Sequence, residues 1–378
     1  MSTAADDVII VGGGLMGLWS ALALARSGRS VTLLEAETIG RHASSASAGG
    51  VRSLGRHPAE IPLARAALPL WHEANAYLGG DVGFAVSGQI RVAEDEAGLA
   101  ALEARAAQTR ALGYAHEELV GANALFALEP ALASHCRGAL VVRDDGFADP
   151  LKTVHALTRA IRKAGVTLRE GIAVQSVAGR GPVALETSEG TMRADIVVNA
   201  AGAWGAEIAA SVGEPVPLTP VALQMSVTEP VPRFVHAVLG SAGHKLSLKQ
   251  TGAGHVVIGG GYEGRVDAAA RIGAPQPVLV GENLAHAVRL FPALAAARVV
   301  RTWAGLEGII ADGIPVIAPS RTVPGLVHAF GFSAHGFALS PLIGRLVLAI
   351  IEGRTPSVPL APFSIDRFQS AMEDRRYA

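Results

Sequence analysis

The chain of 378 residues holds a single cysteine, Cys136. That excludes an intrachain disulfide and a cysteine-built zinc or iron–sulfur site, so no metal is expected, and it fits a reducing, cytoplasmic setting. An excess of one charge is also lacking. With 32 basic and 33 acidic residues there is no global field to favour nucleic acid or an anionic membrane. No uninterrupted apolar run is long enough to span a bilayer. The apolar stretch Val8 to Ala25 contains glycines and is preceded by Asp6 and Asp7, where a signal peptide would need a basic region. A soluble protein is expected. Aromatic residues make up 5 % and charged residues 17 % of the chain against 50 % hydrophobic, the balance of a globular protein. The length predicts about two domains.

Glycine, by contrast, is plentiful at 44 residues, and its first cluster organises the rest. Asp7-Val-Ile-Ile-Val-Gly-Gly-Gly-Leu-Met-Gly17 is an apolar run that breaks into glycines and enters an Ala/Leu-rich helix. Gly12, Gly14 and Gly17 have the G-x-G-x-x-G spacing: a tight turn, a close approach for a pyrophosphate, and close helix–strand packing. Leu15 and Met16 open the helix, whose N–H groups and positive dipole end suit phosphate. Gly28 stops it, and Ser30 to Glu35 forms a second strand whose closing acid suits a ribose hydroxyl, with Ala36 beside it. By itself the glycine pattern allows any dinucleotide.

The following run, Arg41 to Arg52, is almost all small residues, including Ser44, Ser45, Gly49, Gly50 and Val51. It reads either as a flexible linker or as main chain lying against a large planar or anionic ligand. Helices are predicted over residues 59–78 and 94–112, the second with Leu99, Leu102, Ala106 and Leu112 inward, and strands over 84–93 and 138–142. Asp149-Pro150 signals a helix start, and a strand from Ala173 includes Val174. The strand 193–199 runs into Ala200-Ala201-Gly202 ahead of Trp204. From 218 to 261 the pattern turns β-rich, with strands over 220–228, 244–250 and 254–260 and a hairpin turn at Gly252-Ala-Gly254, then a helix over 280–290. Short strands follow over 298–302, 314–318 and 325–329. A last glycine-flanked segment, Gly331 to Pro341, contains Ser333, His335, Gly336, Phe337 and Ala338, with Ser340 as the expected N-cap and Pro341 as the first helical residue.

Together these stretches resemble the D-amino-acid oxidase superfamily of FAD-dependent flavoproteins, in its glycine oxidase, sarcosine oxidase and hydroxyproline or opine dehydrogenase branch. The glycine start with Glu35, the loop 43–51, Val197 to Trp204, Arg301 to Leu306 and Gly331 to Phe337 occur in the family's order. The resemblance implies an α/β fold (α+β overall), with a Rossmann-like FAD-binding domain and an inserted antiparallel-sheet substrate domain. The FAD domain would comprise residues 1–83, 138–217 and 298–378, and the substrate domain 84–137 and 218–297. It implies that Gly12, Gly14 and Gly17 turn about the pyrophosphate and that Glu35 binds the adenosine ribose. Arg41, Ser44 and Ser45 would lie near ribose and pyrophosphate, and Gly49, Gly50 and Val51 under the isoalloxazine. Val174 would meet adenine, Ala201, Gly202 and Trp204 would form a second FAD turn, and Ser333 to Ala338 would border the pyrimidine ring.

Departures from the family pattern bear on the reaction. Glu307 stands where glycine oxidases of the family carry an arginine for the substrate carboxylate, and a glutamate suits a substrate ammonium instead. Gly305 occupies the position of a flavin-linking cysteine, which implies noncovalent FAD. The strand Val256-Val-Ile258 has no lysine, and Ala338 replaces another, which tilts the reading toward a dehydrogenase using a redox partner instead of oxygen. The expected reaction is oxidation of an amino acid C–N bond by hydride transfer to flavin N5, giving an imine that hydrolyses. The substrate would be secondary or N-substituted, such as hydroxyproline, proline, sarcosine or an opine. Arg52, Lys249 and Tyr262 are the candidate carboxylate anchors, and His335 is a residue placed by its backbone. The alternatives are a glycine-oxidase-like oxidase acting on glycine or an N-carboxymethyl or β-amino acid with peroxide release, an electron-transferring flavin subunit of a heteromeric complex, and a NAD-dependent enzyme.

Overall fold

The structure, a computed structural model, describes residues 6–179 and 181–368. The ends of the expected domain ranges, 1–5 and 369–378, lie outside the described residues. Asp6–Val11 forms the first strand, and its Val8, Ile9 and Ile10 are fully buried, as an apolar run covered on both faces should be. It pairs in parallel with Val31–Glu35 on one side and with Gly190–Asn199 on the other. Thr167–Glu170 extends one edge, and Val183–Thr187 with Val174–Ala178 the other. Leu326–Phe330 pairs with the end of Gly190–Asn199 and carries Val316–Pro319. The helices Leu15–Arg26, Pro150–Lys163 and Gly336–Ile351 contribute to one apolar core with Trp71 and Phe363.

A second sheet runs in the order Val299–Ile310, Leu218–Pro230, His255–Gly259, Ser247–Gln250, Val238–Ser241, Gln89–Ala93, Gly138–Val142 and Glu118–Gly121. Its membership corrects the expected domain boundaries. Gly138–Val142 and Val299–Ile310, both assigned to the FAD domain from sequence, are strands of the second sheet. Gly138–Val142 is buried along its whole length, as Leu326–Phe330 of the first sheet is, so only its pairing with Gln89–Ala93 distinguishes it, and Val299–Ile310 is placed by its pairing with Leu218–Pro230.

Three other expectations shift. The strand over 84–93 is two strands in different sheets, Ala85–Val86 and Gln89–Ala93. Gly88 at φ +74° breaks it, with Ser87 and Gly88 both donating to the Asp145 carbonyl. Leu112 caps its helix and is 48 % exposed instead of joining the inward stripe. The last helix begins at Gly336, with Ser340 and Pro341 inside it. Proline has no N–H for the Phe337 carbonyl one turn back, and the Ser340 hydroxyl donates to that carbonyl instead at 2.9 Å. The strand Val238–Ser241 carries only four residues and had no clear sequence signal.

A small three-stranded sheet fixes the loop between the two large ones. Gly146–Phe147 lies between Gly50–Val51 and Ala85–Val86. Gly49, at φ +69°, has room for no side chain, since a Cβ would stand 2.2 Å from the Ala148 oxygen.

Candidate active site

A cavity of about 790 Å³ runs between the two sheets, from the glycine turn to the loop before the last helix. Cofactor clefts span roughly 300–1,000 Å³, so this one is large. Of the expected residues, Gly12, Gly14, Leu15, Met16, Glu35, Ala36, Arg41, Ser44, Gly49, Gly50, Val174, Ala201, Gly202, Trp204, Gly305, Gly336 and Phe337 line it, as do Arg52, Lys249 and Glu307.

The glycines divide by what excludes a side chain. A Cβ on Gly12 would lie 2.4 Å from the Ala200 oxygen, and one on Gly17 would lie 1.9 Å from the Gly12 oxygen. These two serve packing. Gly14 differs: a Cβ would meet only the mobile end of Ser44, at 3.1 Å. As N-cap it makes no side-chain cap bond, so the helix dipole and this open backbone face the cavity. Ser44 Oγ accepts from the Leu15 N–H at 2.9 Å, and Glu35 accepts from Gly13 and Glu37 N–H at 2.7 and 2.8 Å. Trp303 Nε1 donates to the Ala46 carbonyl at 2.9 Å, holding the small-residue loop against the second sheet. A Cβ at Gly305 would stand 2.3 Å from the Ala46 Cβ, so no side chain fits there while that loop stays in place.

Several expected residues support the cavity from behind. Ser45 donates its N–H to Gly40 O, Val51 is 2 % exposed, and Ser333 Oγ accepts from Ile310 N–H at 3.1 Å. The Ala338 carbonyl accepts from Trp71 Nε1 at 2.8 Å. His335 caps the last helix, and its ring shares a 2.7 Å hydrogen bond with the buried Glu60; burial pushes it down to about 4, so it is neutral. Tyr262 does not line the cavity. Its hydroxyl is bonded to the His286 ring at 2.8 Å, which removes it from the carboxylate anchors.

The other end of the cavity carries most of the charge. Burial pushes Glu307 up to about 7, against the single opposing bond from the Ala334 N–H at 2.8 Å. Lys249, 5 % exposed, lies 4.1 Å over the Phe147 ring and is pushed down to about 8 by burial. It stands opposite Val257 in the sheet. Thus the strand Val256-Val-Ile258 has no lysine of its own, but its neighbour supplies one. Two cations were missed from sequence: Arg56, 1 % exposed and pushed down to about 9 by burial and by Arg52, and Arg91 on Gln89–Ala93. A charged residue at the centre of an otherwise buried strand was the available signal for Arg91.

Residues 7–350 match the model of the DAO family, FAD dependent oxidoreductase. The chain belongs to this family. It is 32 % identical to glycine oxidase of Geobacillus kaustophilus over 96 % of this chain and 97 % of that one. One subunit of the opine oxidase of Rhizobium meliloti is 30 % identical, over 96 % and 98 %. Among solved structures, L-proline dehydrogenase from P. horikoshii aligns with a TM-score of 0.88 at 25 % identity, covering 97 % of this chain and 98 % of that one. The cofactor of this oxidoreductase is FAD, which removes the NAD-dependent alternative. The open Gly14 N-cap and the side-chain-free loop at Gly49 and Gly50 fit its phosphate and planar ends. Among the described residues no helix is long and apolar enough to cross a membrane.

Proposed function

We propose that this FAD-dependent oxidoreductase oxidises the C–N bond of an amino acid, with a secondary or N-substituted amine as the preferred class. The observation that carries the reading is the pairing, in one cavity, of a proton-accepting Glu307 with the free guanidinium of Arg52. A zwitterion has the complementary charges: its carboxylate meets Arg52 and its ammonium meets Glu307. Glu307 Oε1 is held by Ala334, so Oε2 takes the ammonium proton, leaving the neutral amine that C–H cleavage requires. Bound noncovalently, FAD supplies the two-electron acceptor for the substrate carbon. Arg52 orients the substrate, and the cavity walls restrict water until the imine is released to hydrolyse.

The similarity to relatives named as subunits supports a redox partner as electron acceptor. Lys249 beside the Val256-Val-Ile258 strand supplies the positive charge whose expected absence argued against oxygen, so oxygen stands as the alternative. Anaerobic addition of an amino acid panel to the FAD-loaded protein should bleach the flavin band. A panel of cyclic, N-methylated, N-carboxyalkyl and simple amino acids that leaves the band unchanged overturns the reading. Peroxide release in air would assign oxygen as the acceptor.

A further inference from the structure

Trp204 stands on the nucleotide side of the cavity. It follows the turn Ala200-Ala201-Gly202, where Ala200 donates its N–H to the Val11 carbonyl at 2.9 Å. The Ala200 carbonyl is also what a Cβ on Gly12 would strike, so this turn packs directly on the glycine turn. The Trp204 ring meets His42 as well, at 4.8 Å between centroids, and His42 caps the short helix Ala43–Ala46 that carries Ser44.

A segment fastened to the second sheet reaches the same ring. The Arg271 guanidinium carbon lies 4.8 Å from the Trp204 ring centroid, and both residues line the cavity. Tryptophan attracts a cation better than the other aromatic side chains do. Here the cavity opens to solvent, since Gly202 and Glu207 line it and are exposed.

Arg271 sits at the tip of a hairpin built from Arg265–Asp267 and Ile272–Ala274, which pair only with each other. The base of the hairpin is tied down. Gly264 donates its N–H to the Ala222 carbonyl at 2.6 Å, and Gln276 donates its N–H to the Gln224 side chain at 2.9 Å. Gly273 rests on Ala222, whose methyl a Cβ would approach to 2.9 Å. Beyond the base the ties end. Among the described residues, no hydrogen bond or ion pair joins residues 265–274 to the rest of the protein. Val266 and Ile272 are exposed, so side-chain burial adds little. Arg271 itself has φ of +53°, a left-handed value that a non-glycine residue holds only where its surroundings impose it. A two-stranded hairpin is marginal by itself, and one held at its tip by a single cation–π contact can swing.

We propose that Arg271 is a cofactor-retaining residue. It latches the hairpin 263–276 onto Trp204, over the mouth through which FAD enters and leaves. Opening is a step common to entry and release, so losing the latch speeds both.

The test needs no substrate, so its outcome is independent of the amino-acid reading above. FAD release is followed by the rise of flavin fluorescence after dilution of the loaded protein. Entry is followed by quenching when FAD is mixed with the cofactor-free protein. Arg271→Met should raise both rates about fivefold and change the dissociation constant by less than about twofold. Arg271→Lys keeps a cation and should give a smaller rise. In a Trp204→Leu background, Arg271→Met should change neither rate further, because the latch is already gone. Unchanged rates overturn the proposal. So does faster release with unchanged entry, which makes Arg271 a direct contact of bound FAD instead of a latch. A rise that persists in full without Trp204 also overturns it, since the hairpin would then be held elsewhere.

Discussion

Ala334 donates its backbone N–H to Glu307 Oε1 at 2.8 Å, tying the loop before the last helix to the strand Val299–Ile310. The contact restrains a costly conformation. Ser333 and Ala334 have φ of +48° and +67°, left-handed values that non-glycine residues rarely adopt and that persist only where surroundings impose them. Ser333 adds two further ties to the same strand, its N–H to Gly308 O at 3.3 Å and its Oγ to Ile310 N–H at 3.1 Å. The cavity-facing N-terminus of Gly336–Ile351 follows directly, so Glu307 is part of the scaffold as well as of the proposed substrate site.

Glu307 should therefore give the protein a measurable pH signature. Its carboxyl titrates at about 7 in the fold against an ordinary 4.5, so the folded state binds more protons between those values. Stability from this group is complete below about pH 4.5 and is lost as pH rises through about 7. Glu307→Gln should flatten that slope in thermal unfolding, by on the order of 1 kcal/mol once cavity water is allowed for. The same variant should remove the limb near pH 7 from the kcat/KM profile. An unchanged limb would take the substrate proton away from this residue.

Gly12 and Gly14 should fail differently when replaced by alanine. At Gly12, φ is +107° and the Cβ would collide with backbone, so Gly12→Ala should destabilise the protein even without cofactor, by roughly 2 kcal/mol or more. Gly14→Ala should leave the cofactor-free melting temperature nearly unchanged but weaken FAD retention at least tenfold. Equal loss of stability in both would remove the distinction between a packing glycine and a ligand-facing one.

Lys249 should be a net cost in the empty protein. Its ammonium titrates at about 8 against an ordinary 10.5, so the folded state binds fewer protons in that window. Stability rises as pH climbs from about 8 to 10.5, and the penalty is full below it. Lys249→Met should raise stability of the cofactor-free protein at pH 7 by about 2 kcal/mol, with the gain shrinking toward pH 10. A lower melting temperature at pH 7 would show that the Phe147 ring and the Ala148 carbonyl, which accepts from Lys249 Nζ at 3.4 Å, outweigh the cost of burial.

Much of the FAD end was legible because its constraints are local. Gly12, Gly14 and Gly17 fall within one turn, and Ser44 is placed by the short chain leading from Glu35. The charged end of the cavity was read less completely. Arg52 and Glu307 were singled out, while the cavity-lining Arg56 and Arg91 were overlooked and Tyr262 was grouped with the anchors. Arg91 reaches the cavity through the pairing of Gln89–Ala93 with Val238–Ser241, a strand whose four residues carry no pattern of their own. Tyr262 turns to His286, on a helix 24 residues further along.

The sequence by itself determined the family-level chemistry: a nucleotide turn, an acid closing the next strand, a small-residue loop and a glycine-flanked helix start, each specified by neighbours a few residues apart. Only the tertiary structure decided which charges share the cavity. Arg52, Arg91, Lys249 and Glu307 come from separate segments, and the burial that shifts Lys249 and Glu307 exists only once both sheets have closed around one space. The glycine turn thus determines what is held, and the closed sheets determine what can be brought to it.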